Sequence, residues 1–514
     1  MRMKSYVMGI DIGTESIRAA IYDEKGNGIG FGISENKTHY PHSGWAEQSV
    51  KRWEDSLIGA IRASISLSRV NPEDIKGIGV DATSPTVVML DENHNPIENA
   101  IMWMDLRAAH EAEEISKIDD PVLKVVGYGK VSPEWFPCKA LWLKRNKPEV
   151  YENTEIFLDQ TDWLTYMLTG ELTLNLNSIT VRWFYNSNND GFPRAFYNKM
   201  GLSDFPDKVP GTVVRPGDIA GVLRDSIAER TGLKKNIPDA AGGADAYIGV
   251  IGVNALKPGK MALITGSSHL HISLVDNEFH APGINGTFAD AILKGYQVVE
   301  AGQASTGSVL KWYKDNFINA GLAGQAVGDK SIYDVMNEGA GKIPPGSEGL
   351  LVLEHWQGNR TPWVDPLSRG VIRGLSLSHT PTHIYRAILE GVAYGTAVIL
   401  SRMEEQDFLI SEIVACGGVT NSELWTQIHS DVTGKPISIT EENQAVSLGS
   451  AILASKAAGI YNTINEAADS MVKIKKIIEP DLRKTKEYSF YINQYIETYE
   501  NLKKLSKELV SRTE

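Results

Sequence analysis

Cysteine is nearly missing: Cys138 and Cys416 are the two that 514 residues contain. That scarcity excludes a disulfide framework and a cysteine-rich zinc site, and it suits a reducing compartment, so a cytoplasmic location is expected. Positive charge is also short, since 51 Lys and Arg against 64 Asp and Glu leave a formal charge of -13. Such a balance argues against a nucleic-acid partner and against a basic helix lying on a membrane. No apolar run approaches the length expected of a bilayer span. The opening Met1-Arg2-Met3-Lys4 leads into a strand pattern with no secretory h-region. Three common chemical motifs are lacking as well. There is no G-x-x-x-x-G-K-[ST] phosphate loop, and the glycines at 26, 28, 30 and 32 do not build G-x-G-x-x-G at a helix start. GQASTG at 302–307 is one residue too long for a serine-hydrolase elbow.

What is present has an α/β rhythm. At 42% hydrophobic and 22% charged, the composition is globular, with length for roughly two to four domains. Apolar residues 6–10 end in Asp11, Gly13-Thr14 turns the chain, and 17–22 returns as a strand. Residues 50–68 carry Trp53, Leu57, Ile58, Ile61 and Ile65 at helical spacing. Residues 75–82, IKGIGVDA, read as a buried strand holding Asp81, and 86–90 as another. Helices are expected around 141–144 and 162–168, the second stopped by Gly170. After the turn cluster Lys257-Pro258-Gly259-Lys260, residues 261–275 repeat the strand, small-residue turn and strand of 6–22. The chain therefore reads as an internal duplication, with a boundary near residue 256. Further helices are expected over 303–316, 382–403, 422–432, 445–458 and from 484 to the end, with strands at 413–416 and 436–440. Strands interleaved with helices make a layered α/β architecture.

Four small-residue turns close apolar strands: Gly13-Thr14, Gly242-Gly243, Gly266-Ser267 and Gly417-Gly418. Small residues let backbone N–H groups approach an anion, and four such turns in two similar halves point to a nucleotide held in a cleft between them. Asp245 follows Gly242-Gly243-Ala244 and precedes an apolar helix. A carboxylate so placed can take the proton of a hydroxyl attacking phosphorus, or it can simply cap the helix. Asp11 lies at the buried end of a strand, where a carboxylate needs a partner or a hard divalent cation. Asp81, Asp105, Asp159 and Asp162, with Trp103, Arg107, Lys139 and Arg182, are candidates to line a polyol pocket. A solvated surface role is the alternative for each. His269 and His271 alternate along a strand without partners at metal spacing and read as structural.

Taken together, these stretches resemble the FGGY carbohydrate kinases, members of the actin-like ATPase superfamily. The likeness is carried by Asp11-Ile12-Gly13-Thr14-Glu15-Ser16-Ile17-Arg18, the 242–245 segment, Thr265-Gly266-Ser267-Ser268, Gly417-Gly418-Val419-Thr420-Asn421, Ser447-Leu448-Gly449-Ser450-Ala451 and residues 349–374. It implies two RNase H-like domains of the actin and hexokinase type, 1–256 binding sugar and 257–514 binding nucleotide, with ATP in the cleft between them. By the same likeness Asp245 is the catalytic base and Asp11 the magnesium-associated aspartate. Gly13, Thr14, Arg18, Gly266 and Ser267 fall on phosphate contacts, and Gly417, Gly418 and Asn421 on adenosine contacts. Asp81, Trp103, Asp105, Lys139, Arg182 and again Asp245 fall to the sugar.

Within the family the nearest look is to pentulose kinases of the D-ribulokinase type, through Trp103-Met104-Asp105-Leu106-Arg107-Ala108 and Ser132-Pro133-Glu134. Ser84 and Val181-Arg182-Trp183 depart from the D-A-T-C and C-K-W of those enzymes, and Ser267 stands where many relatives carry Thr. Arg for Lys keeps the charge and changes the reach. The acceptor is left open among ribulose, xylulose, a tetrulose, ribitol and erythritol. The likeness also carries an expected homodimer. Two competing classes are a nucleotide-switched module without chemistry and a silent sugar sensor; Asp11, Thr14 and Asp245 count against the sensor, and a chain ending in one helix counts against a chaperone.

Overall fold

The computed structural model describes residues 5–127, 129–189, 191–318, 321, 324–326 and 330–512. Its framework is two mixed sheets. In the first, β1 (Tyr6–Ile12) pairs antiparallel with β2 (Ser16–Asp23), and β2 with β3 (Gly28–Glu35). On its other side β1 runs parallel to β4 (Ile75–Ala82). β5 (Ile219–Val222) and β6 (Pro238–Ala244) complete the order β5-β6-β4-β1-β2-β3. β1 and β4 are buried along nearly their whole length, as expected of parallel strands covered on both faces.

The second sheet comprises β7 (Lys260–Thr265), β8 (His269–Val275), β9 (Asn285–Ala289), β10 (Gln297–Gln303), β11 (Glu412–Gly417), β12 (Ile437–Thr440) and β13 (Ile474–Ile478). Their order is β9-β10-β8-β7-β11-β12-β13. β7 pairs antiparallel with β8 and parallel with β11, as β1 does with β2 and β4. The two hairpin turns occupy the same place and differ by one residue in length: Gly13 N donates to Ser16 O at 2.9 Å and Gly266 N to Ser268 O at 2.9 Å. Two copies of one topology thus place their small-residue turns at corresponding strand ends.

Most helices fall where apolar spacing puts them. α1 (Val50–Ser68) buries Trp53, Leu57, Ile58 and Ile61. α2 (Phe136–Asn146) and α3 (Gln160–Thr169) are longer than the short segments expected, and Gly170, at φ 86°, stops α3 in left-handed backbone. α4 (Leu176–Arg182) has no counterpart in the sequence reading. α5 (Asp245–Gly252) follows β6 directly. α6 (Gly307–Phe317) starts later than the expected 303, because Gln303 closes β10 and its amide is held by Glu354 and the Val392 carbonyl. α7 (Pro381–Glu404), α8 (Glu423–Thr433) and α9 (Ala445–Ala457) agree within a residue at either end. α10 (Leu482–Val510) forms the tail.

One expectation needs correction. α7 is long and apolar enough to cross a membrane by composition, and 83% of its most apolar window is buried in the protein. Arg386 and Glu390 interrupt the run in sequence, but they pair with each other at 2.8 Å, which lets the helix pass through the core.

α9 belongs to the second half in sequence yet lies against the first sheet. An added Cβ at Gly9 would stand 2.1 Å from Ser447 O, and one at Gly79 would stand 2.0 Å from Ser450 O. Only glycine permits this approach of strand and helix backbones. α9 also packs on α5, whose Gly252 meets Ala445 O. These two helices join the sheets, and the cleft opens between the strand ends on either side.

Candidate active site

A cavity of about 330 Å³ lies where the two sheets face each other. The β1–β2 turn supplies Gly13 and Thr14, the β7–β8 turn Gly266 and Ser267, and the start of α5 supplies Asp245. Trp103 and Arg182 close another side. Seven sequence candidates therefore meet in one space, although up to 254 positions separate them in the chain.

Asp245 is the first residue of α5, half-buried, and its Oδ1 accepts from the Ala246 N–H at 2.7 Å. Ala244, not Asp245, occupies the N-cap position, so the carboxylate is not spent on capping. Loss of solvent, then the negative charge of Asp11, raise this carboxyl to about 7, against the opposing pull of Arg182. Asp11 and Asp81 sit side by side on β1 and β4. Arg18 Nη1 donates to Asp11 Oδ2 at 3.3 Å, yet burial still raises the Asp11 carboxyl. Asp81 accepts from Ser450 Oγ at 2.6 Å, and its Oδ1 has no partner. Burial and the adjacent Asp11 push its carboxyl well up.

The sugar-side candidates divide. Trp103 Nε1 donates to Thr14 Oγ1 at 3.1 Å, which ties the wall to the first turn. Arg182 Nη2 donates to both Glu300 oxygens, at 3.0 and 2.8 Å, and Tyr247 OH donates to Glu300 at 2.7 Å. Asp105, Lys139 and Asp81 do not reach the cavity. Asp105 is fully buried and accepts from Ala46 N at 2.6 Å and Arg107 Nε at 2.8 Å. Arg107 in turn lies 4.0 Å over the Trp45 ring. Lys139 is fully buried on α2 and donates to the carbonyls of Pro85, Met102 and Trp103 at 2.9, 2.7 and 3.0 Å. Loss of solvent pushes its ammonium down to about 8, although Asp105 pulls the other way. Asp81 faces α9. Asp159 holds Ser84 Oγ at 2.6 Å, and Asp162 holds Asn175 N at 2.6 Å. The reason is common to all: a buried charge goes where backbone donors or acceptors converge, and sequence spacing does not reveal those.

The segment of Gly417, Gly418 and Asn421 begins at the last residue of β11 and lies outside this cavity. Gly417, at φ 86°, abuts Thr265, whose hydroxyl donates to Cys416 O at 2.6 Å and accepts from Val419 N at 3.1 Å. Gly418 and Asn421 are exposed. Sequence reasoning missed Glu134, Glu300 and Arg360, which also line the cavity. Glu300 carried a readable signal, a lone carboxylate in the apolar run VVEAG, the same cue that singled out Asp11.

His269 and His271 are buried beside His429, with ring centroids of His269 and His429 5.7 Å apart. Among the described residues no group of three or more His, Cys, Asp or Glu is arranged to hold a metal. Burial holds His269 well below the usual range, His271 at about 3 and His429 at about 4. Their ring nitrogens are expected to show no titration between about pH 8 and pH 5.5 in nitrogen-15 NMR of the folded protein; a midpoint near the ordinary histidine value of about 6.5 in any of them would contradict this burial.

The model of the FGGY family of carbohydrate kinases, N-terminal domain, matches residues 6–252, and that of its C-terminal domain matches residues 261–458. A ribulokinase of Anoxybacillus flavithermus is 33% identical over 513 residues, covering 92% of this chain and 90% of that protein. A ribulokinase of Geobacillus thermodenitrificans is 32% identical over 512 residues with the same coverage, 92% and 90%. Among solved structures, a gluconate kinase from Lactobacillus acidophilus superposes with a TM-score of 0.87 at 21% identity, covering 97% of this chain and 98% of that one, a likeness of fold. Two sheets of one topology, a cleft between them and both family models over most of the sequence lead to one conclusion: the chain belongs to the FGGY carbohydrate kinases, phosphotransferases that use ATP as co-substrate.

Proposed function

We propose that the protein transfers the terminal phosphoryl group of ATP to a hydroxyl of a short open-chain sugar, with a pentulose such as D-ribulose as the first candidate. Xylulose, erythrulose, ribitol and erythritol are the alternative acceptors. The observation that carries this reading is the position of Asp245, in one cavity with both small-residue turns and the Arg182–Glu300 pair. The naming of the relatives as ribulokinases at 32% and 33% identity supports the choice of sugar.

Asp245 takes the proton of the attacking hydroxyl, and a carboxyl held at about 7 is matched to that task near neutral pH. Gly13, Thr14, Arg18, Gly266 and Ser267 receive the phosphates through backbone N–H groups, hydroxyls and one guanidinium. Gly417, Gly418 and Asn421 take the adenosine. Trp103 offers an apolar ring face to the carbon chain, while Arg182 and Glu300 bond its hydroxyls. Lys139 and Asp105 position Trp103 and its loop from below. Phosphoryl transfer asks little covalent help, so alignment and exclusion of water account for most of the rate. The boundary between the two units is placed near residue 256, and the location in the cytoplasm.

Asp11 fits magnesium: it lies at the end of β1 beside the Gly13 turn, pairs with Arg18 at 3.3 Å, and burial still raises its carboxyl, as expected of a carboxylate short of positive charge. Asp11 would hold the ion, in keeping with magnesium's habit of binding one or two carboxylates plus phosphate oxygens. When bound, the ion neutralises phosphate charge.

The test is ADP release with magnesium-ATP against D- and L-ribulose, D- and L-xylulose, erythrulose, ribitol, erythritol and glycerol. One strong responder is expected. Its kcat/KM should rise with pH and level off above about 7, because the base works only when ionised. Raising magnesium should shift that midpoint to lower pH, since a cation favours the charged carboxylate. Silence of the whole panel with ATP bound would count against the reading.

A further inference from the structure

The catalytic cavity has a neighbour. An outer chamber of about 650 Å³ lies beyond it, and the two share the same four charged residues, Glu134, Arg182, Glu300 and Arg360. Within this partition the two ion pairs differ. Arg182 and Glu300 meet at 2.8 Å with side chains 15% and 4% exposed, braced by Tyr247. Arg360 and Glu134 meet at only 3.6 Å, with side chains 45% and 24% exposed.

We propose that the Glu134–Arg360 pair is the end wall that sets acceptor length, making Arg360 a specificity-determining residue that restricts the enzyme to short, uncharged, open-chain sugars. This rests on the kinase reading above. Asp245 fixes where the reacting hydroxyl sits, so the carbon chain must run from Asp245 past Arg182–Glu300 toward Glu134 and Arg360. The backbone that displays Arg360 is pinned on both sides. Asn359 and Asp365 exchange backbone hydrogen bonds at 2.9 Å each. Thr361 Oγ1 donates to Gly283 O at 2.7 Å, and Thr361 N to Gly302 O at 3.2 Å. Trp363 stacks on Tyr499 of α10 at 4.0 Å, and Tyr499 OH donates to Asp365 at 2.9 Å. The loop is therefore a rigid mount, and the side chain alone decides how far the cavity extends.

Charge and lining agree with that role. Two cations and two anions leave the partition neutral, so an acidic acceptor reaching it would face Glu134 and Glu300 as well as the arginines. Beyond the wall the chamber presents Ser116, Ser132, Asn285, Gln357 and Asn359, hydroxyls and amides able to bond the further hydroxyls of a longer sugar. The room exists, and the ion pair closes it off.

The experiment compares kcat/KM for a tetrulose, a pentulose, a hexulose and a heptulose in the wild type, Arg360→Ala, Glu134→Gln, the double variant Glu134→Ala/Arg360→Ala and the charge swap Glu134→Arg/Arg360→Glu. The hexulose-to-pentulose ratio is expected to rise about tenfold in Arg360→Ala, on the scale one methylene contributes in a fitted pocket. It should rise further in the double variant and return toward the wild type in the charge swap, with KM for ATP unchanged. An unchanged length profile in both truncated forms, or an equal loss for every acceptor, would overturn the wall. If Arg360→Ala does not fold, the isosteric Glu134→Gln still decides through the same ratio. A wild type with no sugar-dependent ADP release overturns the kinase reading itself, and this inference with it.

Discussion

Replacing Asp245 with Asn is expected to lower kcat by about 10²- to 10⁴-fold, the usual contribution of a positioned general base, while ATP and sugar still bind. The substitution keeps shape and keeps an oxygen for the Ala246 N–H, whose bond at 2.7 Å holds the side chain in place. It removes the one feature the reaction needs, an oxygen that accepts a proton near neutral pH. Binding should survive because the small-residue turns and the Arg182–Glu300 pair are untouched. ATP affinity should hold or tighten, since one negative charge leaves a site already shared by Asp11 and Asp81. Thermal stability should hold or rise for the same reason, because a buried carboxyl whose pKa is raised is one the folded state accommodates at a cost. Single-turnover kinetics with calorimetric titration of each substrate separates these effects. Near-normal turnover would remove Asp245 from the role of base.

The second large effect concerns stability and sugar binding together. Arg182→Met is expected to destabilise the protein by about 3–5 kcal/mol at pH 7, the usual result of leaving one charge of a buried pair alone. Glu300 is nearly inaccessible, and burial by itself would raise its carboxyl; Arg182 overrides that and holds it below its usual range. Without Arg182, Tyr247 is the one hydrogen-bond donor left to the Glu300 oxygens among the described residues.

In the wild type a depressed carboxyl contributes stability that is present above the ordinary glutamate value of 4.5 and is lost as pH falls through the folded value. The gap between wild type and variant should therefore narrow as pH falls, beginning above 4.5, where the unpaired buried Glu300 of the variant takes up its proton, and ending at the depressed wild-type value. Adding Glu300→Leu should restore most of the stability, since both desolvated charges are then gone. It should not restore the sugar KM. Arg182→Lys should fall between, because an ammonium cannot also supply the Nη1 bond to Val181 O at 3.0 Å. Urea midpoints for the wild type and the three variants, with sugar KM beside them, test the scheme. A double variant no more stable than Arg182→Met would show that the ion pair is not what was lost.

Much of this architecture could be read before any coordinates. Apolar spacing defined α1 to the residue, because a helix half-sunk in a core needs one continuous stripe from Trp53 to Ile61. The duplication was legible in two short hairpins, since a buried strand, a small turn and a returning strand leave the same mark wherever they occur. α4 was not legible: seven residues, buried nearly all round, leave no contrast between faces. α6 was misplaced by four residues because Gln303, a good helix former, is claimed by β10 through contacts with residues 51 and 89 positions away. α7 was legible over its length but not as one apolar run, because Arg386 and Glu390, whose mutual pairing one turn apart cancels the polarity that each shows alone, interrupt it.

The features legible in the sequence are local: the glycine turns, the amphipathic stripes, and carboxylates such as Asp11 and Asp245 set where an unpaired charge is costly. Those follow from covalent chemistry over a few residues. Tertiary structure alone decided which charged side chains face the cleft. Asp81 near a strand end, Asp105 in a loop and Lys139 on α2 are as plausible in sequence as Asp245, yet each is turned inward by donors or acceptors from distant segments, Ser450 for Asp81, Ala46 for Asp105 and Pro85 for Lys139. Glu300, Glu134 and Arg360 reach the cavity because segments far apart in sequence fold against each other. A buried ion is stable only where its full set of partners converges, and that convergence is a property of three dimensions.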